Sequence, residues 1–180
     1  MEYSALLSHR ILFLSEPIDS NIANRLVAQL LLLDANDPNA QIDLYINCPG
    51  GSVLDGFAVI DTIQCIKAPV CTICIGKAFS MAAWILAAGK KGLRFATPNV
   101  EIMIHQPISS FSGQTSDIQI YTKRMVNLQE RLIKMLSDFT GKPENQIRED
   151  MKQEFFMAAE EAKNYGIVDE ILMPKNKVKR

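Results

Sequence analysis

The sequence predicts an α/β fold, with stacked parallel sheets and helices on the outside. Three observations predict it. Short apolar, β-branched runs alternate with longer stretches of helical periodicity, the rhythm of βα units. Glycine-containing turns follow two of the strand-like runs, Asn47-Cys48-Pro49-Gly50-Gly51-Ser52 and Ile75-Gly76-Lys77-Ala78-Phe79. At 180 residues, 48% of them apolar, the chain is long enough for one sizeable core and too short for two ordinary domains.

Residues 11–14 read as a strand, 20–33 as a helix and 42–47 as a second strand. A helix over 53–66 follows, then a strand over 70–75. The next helix opens near Ser80 and stops at Gly89, where a glycine can take the left-handed conformation that ends helices. Arg94-Phe95-Ala96 and residues 100–105 read as short strands. Residues 109–116 are polar and contain glycine. From 115 to 139, apolar residues such as Ile118, Tyr121, Met125, Leu128, Leu132 and Met135 recur at helical spacing. A helix of that length fits an arm packed on another subunit as well as it fits an ordinary amphipathic core helix. A short helix over 143–151, a strand near 155–157, a helix through Ala162 and a closing strand over 168–172 complete the pattern.

Composition narrows the function. A net charge of −1 with 22% charged residues gives no reason to expect nucleic acid or an anionic membrane as partner, and the basic tail at 175–180 reads as a solvated end. No apolar run has the length of a membrane span and the N-terminus lacks the pattern of a secretory signal, so the chain reads as intracellular. Cys48, Cys65, Cys71 and Cys74 lie in or beside apolar segments, as buried thiols do. Cys71 and Cys74 have CxxC spacing without a second pair, and the histidines are only His9 and His105, so packing is favoured over zinc or redox chemistry and no metal or cofactor is expected.

Chemistry concentrates at three places. Ser80 sits at the mouth of a helix, Ser80-Met81-Ala82-Ala83-Trp84, where unpaired backbone N–H groups and the positive end of the dipole favour a developing oxyanion. Taken alone, that segment favours a serine that merely caps its helix. Asn47 to Ser52 lies beyond the C-terminal end of a strand, where open α/β sheets place their sites, although a tight turn also accounts for Pro-Gly-Gly. His105 ends a strand in which it shares a face with Met103, so it can meet a serine at the end of a neighbouring strand and take its proton, although a lone histidine there is more commonly structural. His9, between Ser8 and Arg10, has no comparable setting.

Together, Asn47 to Ser52 (NCPGGS), Gly76 to Ala83 (GKAFSMAA), Met103 to Pro107 (MIHQP) and Phe156 to Gly166 (FMAAEEAKNYG) resemble the ClpP family of ATP-dependent protease core subunits, in order and spacing. The resemblance runs from about Tyr3 to Leu172. It implies a crotonase-like fold for 1–180 as one peptidase domain, with a strand-helix handle over about 108–139. It implies Ser80 as nucleophile, His105 as base, and the N–H groups of Gly51 and Met81 as the oxyanion hole. Glu154 stands where the family usually has aspartate and is the implied third member of the triad; Asp150 is the nearest other acid. Phe79 stands where a small residue is usual, and Gln153 where relatives often carry an arginine that pairs between rings.

The implied activity is hydrolysis of unfolded polypeptide, the substrate held by backbone hydrogen bonds to the segment after Gly51 and a strand after Pro107. The implied assembly is two stacked heptamers, as a homo-oligomer or a ring mixed with a ClpP paralogue. A separate AAA+ unfoldase would use the ATP, since this chain has no GxxxxGK[ST] sequence; Tyr45 and Phe95 fit the surface that docks it. The implied setting is the cytoplasm, or an organelle stroma or matrix. Two other readings remain open at this level: a catalytically weak or inactive subunit of a mixed ring, and an acyl-CoA enzyme of the same fold.

Overall fold

The computed structural model describes residues 2–173, and the basic tail at 175–180 lies outside them. Seven strands and seven helices run in the order α1 (Glu2–Ser8), β1 (Ile11–Leu14), α2 (Ser20–Asn36), β2 (Ile42–Cys48), α3 (Val53–Cys65), β3 (Val70–Phe79), α4 (Met81–Ala87), β4 (Arg94–Ala96), β5 (Glu101–Ile104), α5 (Thr115–Thr140), α6 (Glu144–Asp150), β6 (Phe155–Ala158), α7 (Ala159–Tyr165) and β7 (Glu170–Ile171). The alternation of strand and helix is the expected one; α1 is an addition to it.

The sheet forks at β3. Strands β1, β2, β3, β4 and β7 lie side by side in that order, all parallel. Thr72–Cys74 of β3 pair with β4, whereas Lys77–Phe79 pair with β5. Between the two halves Gly76 takes φ +76°, and a Cβ there would stand 2.8 Å from Oδ1 of Asn47. The bend lets one strand serve two neighbours, and it carries β3 four residues beyond the expected end at Ile75.

One pairing departs from the expected parallel sheet: β6 runs antiparallel to β5, with Ile104 opposite Phe155 and Met103 opposite Phe156. The chain leaves β5, makes the long excursion through α5 and α6, and returns at Met151, whose carbonyl accepts the N–H of Gln106 at 2.9 Å. A strand that starts beside the end of its neighbour has to run back along it.

The core is built on α4, every residue of which is buried. A helix apolar on all sides belongs in the middle of a protein. Its Trp84 indole donates to the carbonyl of Leu132 at 2.9 Å, and Leu86 accepts from the Thr72 hydroxyl at 2.7 Å. Buried polar groups are thus paired, which removes the cost of leaving them unsatisfied. Behind this core the buried Arg94 is held by Asp169 across a 2.5 Å ion pair. Burial opposes charge on Asp169, but the Arg94 guanidinium and the N–H groups of Arg94 and Gly92 hold its carboxyl below the usual range.

Helix α5 is a core helix in its second half only. Its first half is exposed, with Ile120 at 65% and Ile118 at 40%, while Leu132, Ile133 and Leu136 are buried in the core. Residues 105–114, which include the implied handle strand, form no ladder in the protomer, since no other strand of the described residues lies alongside them. Cys48, Cys71 and Cys74 are buried, but Cys65, the last residue of α3, is exposed. None of the helices among the described residues is long and apolar enough to cross a membrane.

Candidate active site

Ser80 joins β3 to α4 with φ +52° and ψ −131°, a conformation that side-chain-bearing residues rarely adopt. Strain of this kind costs on the order of 1–3 kcal/mol and persists only where the surroundings enforce it. Here the Ser80 N–H donates to the carbonyl of Met103 at 2.8 Å, and its own carbonyl accepts the Ala83 N–H at 2.8 Å. Ser80 stands at the N-cap position of α4 yet makes no side-chain cap bond. The capping explanation therefore fails, and the hydroxyl is directed elsewhere.

It is directed at His105. Nε2 of the imidazole lies 2.9 Å from Oγ of Ser80. Two backbone features bring them together: parallel pairing of Lys77–Phe79 with Glu101–Met103, and the bond from the Ser80 N–H to Met103. Met103 and His105 are two residues apart, so they face the same side of the strand. With the ring as the Nδ1–H tautomer, the hydroxyl donates to Nε2, the starting state for general-base activation of a serine.

The turn after β2 borders the same pair. A Cβ on Gly50, which has φ +93°, would stand 2.7 Å from Cβ of Ser80, 2.6 Å from the carbonyl oxygen of Phe79 and 3.3 Å from the Met81 nitrogen. Glycine is thus required here by close approach as well as by φ. The carbonyl of Gly50 accepts the Ile18 N–H at 2.8 Å. In a trans peptide C=O and N–H point oppositely, so this bond turns the Gly51 N–H away from Ile18. Met81 opens α4, where the first N–H groups have no partner within the helix. Its side chain is seated on Gly56 of α3, leaving no room for a Cβ there.

Glu154 falls one step beyond the ladder between β5 and β6. The register Ile104 to Phe155, continued by one, sets Glu154 opposite His105. Its side chain is exposed, and the imidazole makes its hydrogen bond to Ser80 with no carboxylate bonded to it among the described residues. Asp150 is engaged elsewhere, accepting from the Tyr165 hydroxyl at 2.8 Å and from the Gln146 amide at 2.8 Å. Burial, with Asp150 adjacent, pushes the Tyr165 hydroxyl pKa far up, so it remains a donor.

The sequence model of the Clp protease family matches residues 1–175. The chain belongs to the Clp protease family. Membership makes it a ClpP-type peptidase chain and implies ring assembly with Clp ATPases in general.

Within that family frame, the structure adds residues that the sequence did not single out. Gly50 was legible as part of a flexible turn, but its contact with Ser80 was not. Ile18, which grips Gly50 and forms a parallel bridge with Gly51, lies far away in sequence and carries no motif. Phe79 packs edge-on against Phe156, ring centroids 5.8 Å apart, so the aromatic residue before the serine lies beside the strand that follows Glu154. Lys77 caps the same ring at 5.7 Å. Tyr45, read as part of a docking surface, stacks on Phe13 at 5.4 Å.

Proposed function

We propose that this chain is the proteolytic subunit of an ATP-dependent Clp-type protease, a serine endopeptidase that hydrolyses unfolded polypeptides inside two stacked seven-membered rings. The observation that carries the reading is the 2.9 Å contact between Oγ of a serine held at positive φ and Nε2 of His105. His105 accepts the hydroxyl proton as Oγ adds to the scissile carbonyl carbon, and the N–H groups of Gly51 and Met81 receive the oxyanion. His105 then returns the proton to the leaving amine, and water hydrolyses the acyl-enzyme by the same route reversed. Glu154 moves from its exposed position to accept Nδ1–H and stabilise the imidazolium, the role of the third triad member. Residues 108–139 act as the handle between rings, and a separate AAA+ unfoldase spends the ATP.

The test is covalent labelling and turnover in assembled particles. A fluorophosphonate should label Ser80, a fluorogenic peptide should be hydrolysed, and Ser80→Ala should remove both. Hydrolysis that survives Ser80→Ala unchanged overturns the assignment.

A second reading has its own observation: no carboxylate hydrogen-bonds His105 among the described residues. On that reading the chain is a weak or inactive partner in a ring mixed with a paralogue. Particles of this chain alone would then assemble but neither label nor turn over peptide, and adding the paralogue would supply all activity. The acyl-CoA reading loses ground to family membership and to the serine–histidine pair, for which thioester chemistry in an oxyanion hole has no need.

A further inference from the structure

Cys48 closes β2 and is fully buried. Its Sγ lies 3.1 Å from the carbonyl oxygen of Glu16, to which the thiol donates, and 3.3 Å from the nitrogen of Gly50, whose N–H it accepts. One side chain thus ties the Pro49-Gly50-Gly51 turn to the segment running beside it. Two residues further on the same segment grips the turn again: Ile18 donates to the Gly50 carbonyl at 2.8 Å, and its own carbonyl accepts the Ser52 N–H at 2.8 Å. The two grips act on successive peptide planes. Cys48 holds the Pro49–Gly50 plane through its N–H, and Ile18 holds the Gly50–Gly51 plane through its C=O. The second plane carries the Gly51 N–H. Desolvation by burial, opposed by the Gly50 hydrogen bond and by Lys77, pushes the Cys48 thiol up to about 11, so it stays protonated near neutral pH and keeps its donor.

We propose that Cys48 is a positioning residue for catalysis, a thiol brace that aims the oxyanion-binding N–H of Gly51 through the Gly50 peptide and residues 16–18. The proposal rests on the serine-peptidase reading above. A thiol present only for volume would need neither partner, and an apolar residue of similar size would replace it. A brace needs a donor and an acceptor on one short side chain, which Ser supplies and Val does not. The oxyanion forms only after attack, so loosening its donor lowers kcat and leaves KM in place.

The experiment compares Cys48→Ser, Cys48→Ala and Cys48→Val in assembled particles, with melting temperature and particle size measured alongside. Cys48→Val should lower kcat for a fluorogenic peptide by about 10- to 100-fold, the range a small misplacement of a catalytic group produces, with KM within about twofold. Cys48→Ala should do the same, and Cys48→Ser should recover most of the loss. Fluorophosphonate labelling of Ser80 should slow in the same order. The proposal is overturned if Cys48→Val turns over at the wild-type rate, if Ser rescues no better than Ala, or if the losses track melting temperature or disassembly instead of side-chain chemistry. Amide exchange separates this failure from failure of the peptidase reading. If wild-type particles hydrolyse nothing, that reading falls, while faster exchange of the Gly50 N–H in Cys48→Val than in wild type still supports the brace and unchanged exchange removes it.

Discussion

The proposed nucleophile and the candidate acid of this site sit on contrasting structure. Ser80 lies between a central strand and a fully buried helix, with its N–H, its carbonyl and its hydroxyl all engaged and Gly50 pressed against its Cβ. Glu154 lies in the turn before β6, which pairs only with β5 among the described residues, and its carboxylate is exposed. The first region is over-determined, so it holds a strained serine in place. The second is exposed and paired on one side, and the proposed role has its carboxylate turn towards the imidazole. On the proposed assignment, chemistry that depends on sub-ångström placement falls to the rigid side, while the part that only orients and stabilises charge falls to the exposed one.

The largest loss is expected at the serine. Ser80→Ala should reduce kcat by about 10⁶-fold, the loss seen when a serine of such a unit is removed, and should abolish fluorophosphonate labelling without changing assembly. Next is Gly50→Ala, where the added Cβ meets the Phe79 carbonyl and Ser80 itself. Displacing the Ser80–Met81 corner should cost about 10²- to 10³-fold in kcat, comparable to losing an oxyanion donor, measured as turnover per intact particle. Glu154→Gln should cost less, about 10-fold, because an exposed carboxylate is a weaker orienter than the buried acid whose loss costs far more. Glu154→Asp sharpens the point: equal or higher kcat for Asp would show that the position needs an acid of the right reach, whereas no change with Gln would sever Glu154 from the reaction.

The smallest effect on chemistry should come from Asp169→Asn, outside the site. Stripping the buried Arg94 of its counter-charge should lower stability by about 3 kcal/mol, read by denaturant unfolding, with kcat per folded particle unchanged. The pH dependence follows from the sign of the shift. The folded Asp169 carboxyl titrates below its unfolded value, so its stabilisation is complete above about pH 4 and declines as pH falls through the folded pKa. Asp169→Asn should therefore flatten the acid limb of the stability profile.

Ser80 and His105 were legible because each ends or begins a recognisable element within a motif. Cys65 was misread because an apolar neighbourhood in sequence does not say which side of a helix a residue takes at its last turn. The reversal of β6 was illegible for a related reason: strand direction depends on where a long excursion returns, and residues 106–154 hold no local signal of that. Asp150, the nearest substitute acid but outside the motif in the preceding helix, is held by Tyr165, a contact that nothing in the local pattern announces.

By itself the sequence determined the α/β alternation, the helix mouth at Ser80, the glycine turn and the kinship with Clp proteases, since periodicity, turn chemistry and motif spacing are properties of neighbouring residues. Only the tertiary structure decided that β3 forks, that the serine hydroxyl faces His105 instead of capping its helix, and that residues 16–18 and Cys48 clamp the turn beside it. Those outcomes depend on hydrogen bonds and contacts between segments tens of residues apart, and such pairings exist only once the chain has closed around its core.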